Sequence, residues 1–282
     1  MKVVCLKKLK AQNPSKEDAF QVGSLWLEAS SRKIKPLFAD LLKTVGSIEG
    51  IERVRFISPH PKDLTLEIVE AMSETENVCE HLHLPLQSGS DSILSAMHRG
   101  YTSERFLKKV QQARIGIEDL SVTTDLIVGF PGESEKDFEE TLAVVAEAQF
   151  DAAYTYIFSP RPGTNAAEME SKFVEHGIAV RRYETLRDVV KRSSLLKHKE
   201  RVGRIEEVLV EGRSKKGTDL IKTRTRQNKI LHLKSQDSLR VGTYARVEVT
   251  DAPSHYLLGE LLEIVAAPKH RKRIPVMAEQ SG

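Results

Sequence analysis

Apolar and polar positions in the first half of the chain follow two alternating patterns, one typical of buried strands and one typical of helices. Apolar runs predict strands at 54–58, 82–86, 122–130 and 153–158, and apolar residues at helical spacing predict helices within 37–45, 64–72, 91–97, 102–113 and 138–146. Because the strands alternate with helices, we expect parallel βα units. Four units make half or two thirds of a βα barrel, or a small open sheet. We favour a partial barrel over residues 36–165, because polar residues follow each strand.

The pattern changes in the second half of the chain. Residues 166–201 are charged and helical with one weak apolar face, which is typical of a connector. Short alternating runs then predict strands at 206–212, 219–225, 229–233, 244–250 and 257–261, which suit a small antiparallel barrel of the OB-like kind over 202–266. Residues 1–35 stay unassigned and are expected to be irregular or loosely helical. Residues 267–282 are expected to form a disordered basic tail.

Composition limits the class of protein. No apolar run in the 282 residues approaches the roughly 18–20 needed to cross a bilayer, and the first eight residues are too charged for a signal peptide. We therefore expect a cytoplasmic protein. The net charge is only +3, but residues 201–282 hold 16 Lys and Arg against 10 Asp and Glu. This excess favours a polyanion such as nucleic acid as the partner, although a solvated lysine-rich surface explains it nearly as well.

Polar side chains stand where each predicted strand ends, and the clearest case is the stretch from His81 to Asp91, a buried strand followed by a glycine turn and a helix. The four groups are Ser58 with His60, Gln87 with Ser88, Asp125 with Glu133, and Ser159 with Arg161. Ligands of α/β proteins bind at the carboxyl ends of parallel strands, so these groups would suit an extended polar cofactor. Alternatively, the first stretch is an ordinary capped helix, and Asp125 and Arg161 brace their loops.

Metal ligation is the weaker interpretation of the histidines and cysteines. His81 and His83 point to one face of a strand, but no third ligand is near them in the sequence, so hydrogen-bonded core imidazoles are favoured. Cys5 and Cys79 are far apart and have no ligand spacing, so we interpret both as free thiols.

Basic residues of the second barrel form the candidate RNA surface. They are Lys215, Lys216, Lys222, Arg224, Arg226 and Lys229. Alternation places Lys222, Arg224 and Arg226 on one face, which suits phosphate contacts. Aromatic residues are scarce nearby, which favours contact with the RNA backbone over base readout.

Several long motifs, in the same order, resemble the later barrel strands of the radical SAM methylthiotransferases. They are Ser58-Pro59-His60-Pro61, His83 to Asp91 (HLPLQSGSD), Thr124 to Glu133 (TDLIVGFPGE) and Phe158 to Thr164 (FSPRPGT), while Arg224 to Lys229 (RTRQNK) resembles the TRAM domain that ends those enzymes. The resemblance implies a partial radical SAM βα barrel followed by a small all-β TRAM barrel. Among the subfamilies, the form of the motif from Tyr156 to Arg161 (YIFSPR) and the TRAM motif resemble the tRNA enzymes, which convert N6-isopentenyladenosine beside the anticodon to its 2-methylthio form.

The resemblance also implies cofactors and partners. The family uses S-adenosylmethionine and two 4Fe-4S clusters, one held by a CxxxCxxC loop and one by three cysteines of an amino-terminal domain. Neither cysteine set is present in this sequence, so we expect a truncated or split enzyme that is inactive alone. The expected partner is tRNA, and a second candidate partner is the missing amino-terminal part on another chain. Ser58, Gln87, Ser88, Asp125 and Arg161 would line the cofactor and substrate mouth.

Two alternatives remain open. In the first, the chain is a non-enzymatic tRNA-binding module. In the second, it is part of a related methylthiotransferase that acts on threonylcarbamoyladenosine or on a ribosomal protein.

Overall fold

The computed structural model describes residues 37–214, 220–234 and 239–268, together with the backbone of residues 2–5. The first unit is a five-stranded sheet. Its strands, in spatial and chain order, are β1 (Lys2–Cys5), β2 (Val54–Ile57), β3 (His81–His83), β4 (Ser121–Val128) and β5 (Ala152–Ile157). Strands β2 to β5 are parallel, as predicted, and β1 is antiparallel to β2.

Five helices accompany the parallel strands. They are α1 (Phe38–Gly46), α2 (Leu66–Glu74), α3 (Asp91–Ala96), α4 (Ser103–Gly116) and α5 (Glu135–Ala148). Most of the apolar positions that the spacing predicted are buried, although Leu41 and Ala146 are exposed. The fully buried side chains of Leu82, Leu126 and Phe106 lie in the resulting core. The predicted alternation of strands and helices is therefore confirmed.

Strand β3 is shorter than predicted. The sequence predicted a strand over 82–86, whereas regular pairing ends at His83. Pro85 has no N–H to give to the ladder, so the chain stays extended and rejoins β4 through a single bridge between Gln87 and Leu126. The result is a buried extended segment between the strand and its turn.

The connector between the two units does more than link them. Two short 3-10 turns, Asn165–Glu168 and Glu170–Lys172, precede α6 (His176–Lys199), which packs on β5. Leu186 and Val190 lie one helical turn apart and are both buried in the core of the sheet. The segment is helical, as predicted, and these two positions add an apolar contact with the sheet.

The second unit is a closed five-stranded barrel. Its strands are β6 (Ile205–Arg213), β7 (Leu220–Thr225), β8 (Ile230–Lys234), β9 (Tyr244–Asp251) and β10 (Leu257–Ala266), in the order β10-β8-β7-β6-β9. Val208, Leu231 and Val247 are fully buried in its separate core. All five strands were predicted, but the barrel is not wholly antiparallel, since β10 pairs with β8 in parallel to close it.

The two ends of the chain lie mostly outside the described residues. Residues 2–5 form a strand where irregular or loosely helical structure was expected, and this strand pairs with the edge of β2. The rest of 1–35, and the expected tail beyond Pro268, fall outside the described ranges. Within those ranges, no helix is both long and apolar enough to cross a membrane.

Candidate functional site

Buried polar side chains share one face of β3 and β4. His81 Nε2 and His83 Nδ1 both lie within hydrogen-bonding distance of Thr123 Oγ1, at 3.1 and 2.9 Å. Burial, followed by the positive charge of Arg55, lowers the pKa of His81 to about 3. His81 is thus a neutral, hydrogen-bonded imidazole, as its strand position indicated.

Farther along β4 and β5 lie more open polar groups. Asp125 Oδ2 lies 3.3 Å from His83 Nε2, and the ring of Tyr154 stands edge-on to that imidazole. Tyr154 and Tyr156 of β5 are both about half exposed, at 56% and 52%. Burial and the nearby Asp125 carboxylate raise the pKa of the Tyr156 phenol. This surface combines a carboxylate, an imidazole and two aromatic rings that can contact a ligand.

Ser58 and Arg161 mark the two sides of the carboxyl end of the sheet. Ser58 follows β2 with a φ of 57° and an exposed side chain. Arg161 is also exposed, and its carbonyl accepts hydrogen bonds from the backbone N–H and the hydroxyl of Thr164. Its guanidinium makes no ion pair with any described residue, so only its backbone braces the loop.

Gln87 and Ser88 are both buried. Gln87 has a φ of 72°. Its backbone N–H donates to the Asp125 carbonyl, and its carbonyl accepts from the Ile127 N–H. Ser88 is fully buried, with its hydroxyl 3.2 Å from Thr141 Oγ1. Contact of the Ser88 side chain with a cofactor is therefore incompatible with this arrangement, because the hydroxyl joins the turn to α5.

Gly89 serves the same packing. A Cβ on Gly89 would lie 2.6 Å from Thr141 Cα and 2.9 Å from Glu140 O. The turn needs glycine because the backbone of α5 comes this close.

Glu133, which the sequence grouped with Asp125, lies in a buried ion pair. Its Oε2 accepts hydrogen bonds from the Gly129 N–H at 2.7 Å and from Arg182 Nη1 at 2.9 Å. Burial nevertheless raises the pKa of this carboxyl. The pair joins the turn after β4 to α6, which makes Glu133 a structural residue.

The opposite, amino ends of the strands hold the small barrel. Arg53 precedes β2 and donates to the Arg224 carbonyl at 2.8 Å and to the Glu207 carboxylate at 2.8 Å. Arg55 donates to the Thr225 carbonyl at 2.6 Å. Both arginines therefore satisfy carbonyls of the barrel that strand pairing leaves free.

The other three strands repeat this arrangement with acidic residues at or just before their first positions. Glu80, before β3, accepts from Arg226 Nε at 2.8 Å. Asp151, before β5, lies 2.6 Å from Lys229 Nζ, and the two side chains are only 8% and 4% exposed.

Asp119, before β4, is the third of these acidic residues. It accepts from Arg201 Nη2 at 2.6 Å, from Gln227 Nε2 at 2.8 Å and from Arg204 Nη1 at 3.0 Å. The contact between the two units thus consists largely of charge-assisted hydrogen bonds. The carboxylates before β3, β4 and β5 receive them from the barrel side, whereas Arg53 and Arg55 of the sheet donate to the barrel.

Two of the predicted RNA-binding residues take part in this contact between the barrel and the sheet. Lys229 is buried with Asp151, and Arg226 is bound to Glu80, so their charges are directed at the sheet rather than at an open surface. Phosphate contact by Lys229 is incompatible with this arrangement, because its ammonium is enclosed.

The remaining predicted RNA contacts divide between accessible and undescribed residues. Lys222 and Arg224 do share a face of β7, where both pair with Glu211, and they remain partly accessible. Lys215 and Lys216 lie outside the described residues.

The cysteines do not fit an iron–sulfur cluster. The sequence has two, and Cys79 is buried beside Arg55 and Arg226, where burial raises the pKa of its thiol. In the described part of the chain, no group of three or more His, Cys, Asp or Glu is placed to hold a metal ion. A cluster needs several thiolates close together, so these residues alone do not supply its ligands.

Comparisons with known proteins agree with this architecture. Residues 21–145 match the radical SAM superfamily and residues 199–262 match the TRAM domain. The chain is 46% identical over 228 residues to the tRNA-2-methylthio-N(6)-dimethylallyladenosine synthase of Thermoanaerobacter sp. (strain X514), covering 81% of this chain and 48% of that protein. The chain therefore combines a radical SAM domain with a TRAM domain, and it is similar to the radical SAM methylthiotransferases.

Other relatives show the same relation. Synthases of the same name from Carboxydothermus hydrogenoformans and Streptomyces coelicolor are 44% and 45% identical, covering 82% and 79% of this chain. The chain spans about half the length of these curated relatives, 52% and 45% respectively. A solved radical SAM enzyme, coproporphyrinogen III oxidase from Escherichia coli, superposes with a TM-score of 0.45 at 14% identity, over 75% of this chain and 50% of that one.

Sequence reasoning missed two groups of residues at the site. Tyr154 and Tyr156 were assigned only to a strand, although their period of two puts both rings on one side. The acidic residues before β3, β4 and β5 were also missed. The available signal was a carboxylate one or two residues before each of three apolar runs, together with a basic motif elsewhere in the chain.

Proposed function

We propose that this chain supplies the tRNA-binding and strand-end part of a tRNA methylthiotransferase that converts N6-isopentenyladenosine beside the anticodon to its 2-methylthio form. The observation that carries the proposal is a TRAM barrel fixed to the amino ends of a radical SAM sheet. Because the barrel binds that end, the carboxyl ends stay open to ligands. The names of the similar synthases support the same nucleoside class.

Strand-end residues would contact the cofactor and the adenosine. Ser58, Asp125 and Arg161 are accessible at that end of the sheet, and Gln87 lies beside Asp125. Asp125 is held by His83, so its carboxylate is oriented before any ligand arrives. We assign these four side chains to the mouth that takes S-adenosylmethionine and the target base, and assign Ser88 to packing.

The family's chemistry needs S-adenosylmethionine and 4Fe-4S clusters, and the cysteines of this chain do not fit such clusters. We therefore propose that the cluster ligands come from an amino-terminal part on another chain or segment. The chain's own residues would bind tRNA and position the base. A tRNA partner implies action in the cytoplasm.

Reconstitution with the missing cysteines tests the proposal. The chain would be mixed anaerobically with the amino-terminal, cysteine-bearing part of the Carboxydothermus relative, and nucleosides from isopentenyladenosine-containing tRNA would be analysed by mass spectrometry. We expect 2-methylthio product only when both parts are present. Absence of product from the mixture, under conditions where the full-length relative is active, would contradict the proposal.

A second candidate is a tRNA-binding module without catalysis, which the separate closed core of the barrel favours. It predicts tRNA binding that weakens steeply between about 50 and 200 mM salt, with no product in the reconstitution. Product on threonylcarbamoyladenosine-containing tRNA would instead assign the chain to that related activity.

A further inference from the structure

A cleft of about 650 Å³ lies where α6, the start of β5 and the loop between β7 and β8 meet. This volume falls in the range of small-ligand sites. One wall is a stripe of α6, in which Arg187, Lys191, Ser194 and His198 recur at helical spacing. The other wall is formed by Asn228 of the TRAM barrel and by Ser254 and His255 of the loop before β10. The cleft is therefore a joint feature of both units.

The charge of the cleft is positive. Among the residues that line it, the acidic one is Asp151, and Lys229 already neutralises it. Arg187 and Lys191 are exposed, and neither forms an ion pair with a carboxylate of the described residues. These two charges remain for a ligand, because no acidic partner in the described part of the chain compensates them.

An aromatic surface adjoins these cations. Tyr154 lines the cleft and is 56% exposed, while its ring meets His83 on the strand-end side. A cation pair beside an open aromatic ring is the combination that single-stranded nucleic acid uses, with phosphates on the cations and a base on the ring. An inorganic anion would contact only the cations.

We propose that this cleft binds a nucleotide of single-stranded RNA, with its phosphates at Arg187 and Lys191 and its base against Tyr154. The inference rests on the proposed function for its RNA partner and adds a site on α6 and β5, outside the TRAM domain. Because Tyr154 reaches from the cleft to the strand-end groups, RNA held here leads toward Asp125. The surface on Lys222 and Arg224 would contact the backbone farther along.

Paired charge variants on one helix test the cations. Arg187→Gln/Lys191→Gln removes two charges from the cleft, and Arg192→Gln/Lys199→Gln removes two exposed charges of α6 that do not line it. Binding of a fluorescent anticodon stem-loop by the 282-residue chain would be measured from about 50 to 200 mM salt. We expect at least about a 10-fold loss for the cleft variant, with a salt slope smaller by about 1.4 because two phosphate contacts are lost, and less than about a twofold loss for the control.

Variants of the ring test the base contact. Tyr154→Ala is expected to weaken binding about 5- to 100-fold, and Tyr154→Phe to restore it, because stacking needs the ring and not the hydroxyl. Equal losses for the cleft and control pairs, or no difference between Tyr154→Ala and Tyr154→Phe, would overturn the proposal that RNA binds in the cleft. Neither result would contradict tRNA binding elsewhere on the chain.

Two further results separate this inference from the proposed function. If the unaltered chain fails to bind RNA even at about 50 mM salt, both the proposed function and the cleft fail. If AMP or inorganic phosphate saturates the chain as tightly as the RNA and the cleft pair abolishes that binding, the site takes a free anion, which overturns the RNA assignment alone.

Discussion

Removing Lys229 tests whether the barrel is held on the sheet by its buried charges. Lys229 Nζ and Asp151 Oδ1 are 2.6 Å apart, and both side chains are more than nine-tenths buried. In Lys229→Met the Asp151 carboxylate still accepts the hydrogen bond from the Val122 N–H but loses its positively charged partner. Breaking a buried pair in this way typically costs about 3–5 kcal/mol, because one charge stays buried without compensation. We expect a loss of that size in the free energy of unfolding at pH 7, measured by urea denaturation with circular dichroism.

The pH dependence of this loss has a definite sign. Burial alone would raise the pKa of Asp151, but Lys229 and the Val122 N–H outweigh it and hold the pKa below its ordinary value of 3.8. The pair's contribution is therefore complete above about pH 4 and declines as the pH falls through the folded-state pKa. In Lys229→Met the pKa of Asp151 rises instead, so the carboxyl gains a proton more readily in acid. The difference between variant and unaltered chain should thus shrink as the pH is lowered toward about 4.

A surface ion pair of the same barrel provides the control. Arg246 and Glu263 are 3.1 Å apart with both side chains more than half exposed, so Arg246→Met should cost less than about 1 kcal/mol. The double variant Lys229→Met/Asp151→Asn should lose less than the sum of its single variants, because the buried charge is removed with its partner. A loss for Lys229→Met no larger than the control's would refute the reasoning.

Three other experiments have expected outcomes. Gly89→Ala should destabilise the chain by about 1–3 kcal/mol in thermal unfolding, because its Cβ would overlap the backbone at Thr141. Arg182→Met should cost about 3 kcal/mol or more at pH 7 and less below about pH 4.5, because Glu133 can then take up a proton. The imidazole of His81 should stay neutral from pH 7 to 5 in a nitrogen-15 NMR titration, because burial lowers its pKa to about 3.

Each of these expectations has a result that contradicts it. Gly163 has a φ of +81°, and a Cβ added there would have no neighbour within 4 Å, so Gly163→Ala measures backbone strain alone. A loss at Gly89 no larger than the loss at Gly163 would argue against the helix contact. A cost for Arg182→Met that does not change with pH would remove Glu133 from the explanation. A midpoint near the ordinary value of 6.5 for His81 would show that its ring is hydrated.

Much of the architecture follows from local pattern. The apolar runs and helical spacings of this sequence predicted β2 to β10 and α1 to α5 within a few residues, because burial on one side of each element requires such periods. The polar strand ends were also visible, since a buried run must stop where polar residues begin. The motifs led to the radical SAM and TRAM resemblance that the comparisons confirmed.

The tertiary structure decided which of these residues are available for function. Ser88, Glu133 and Lys229 looked like ligand contacts in the sequence, but each is buried against a partner on a distant part of the chain. Conversely, the exposed ring of Tyr154 and the cations of α6 became a candidate site only when the TRAM barrel was placed beside them. A sequence pattern reports the environment along one element, whereas the pairing of charges between distant elements depends on how those elements pack.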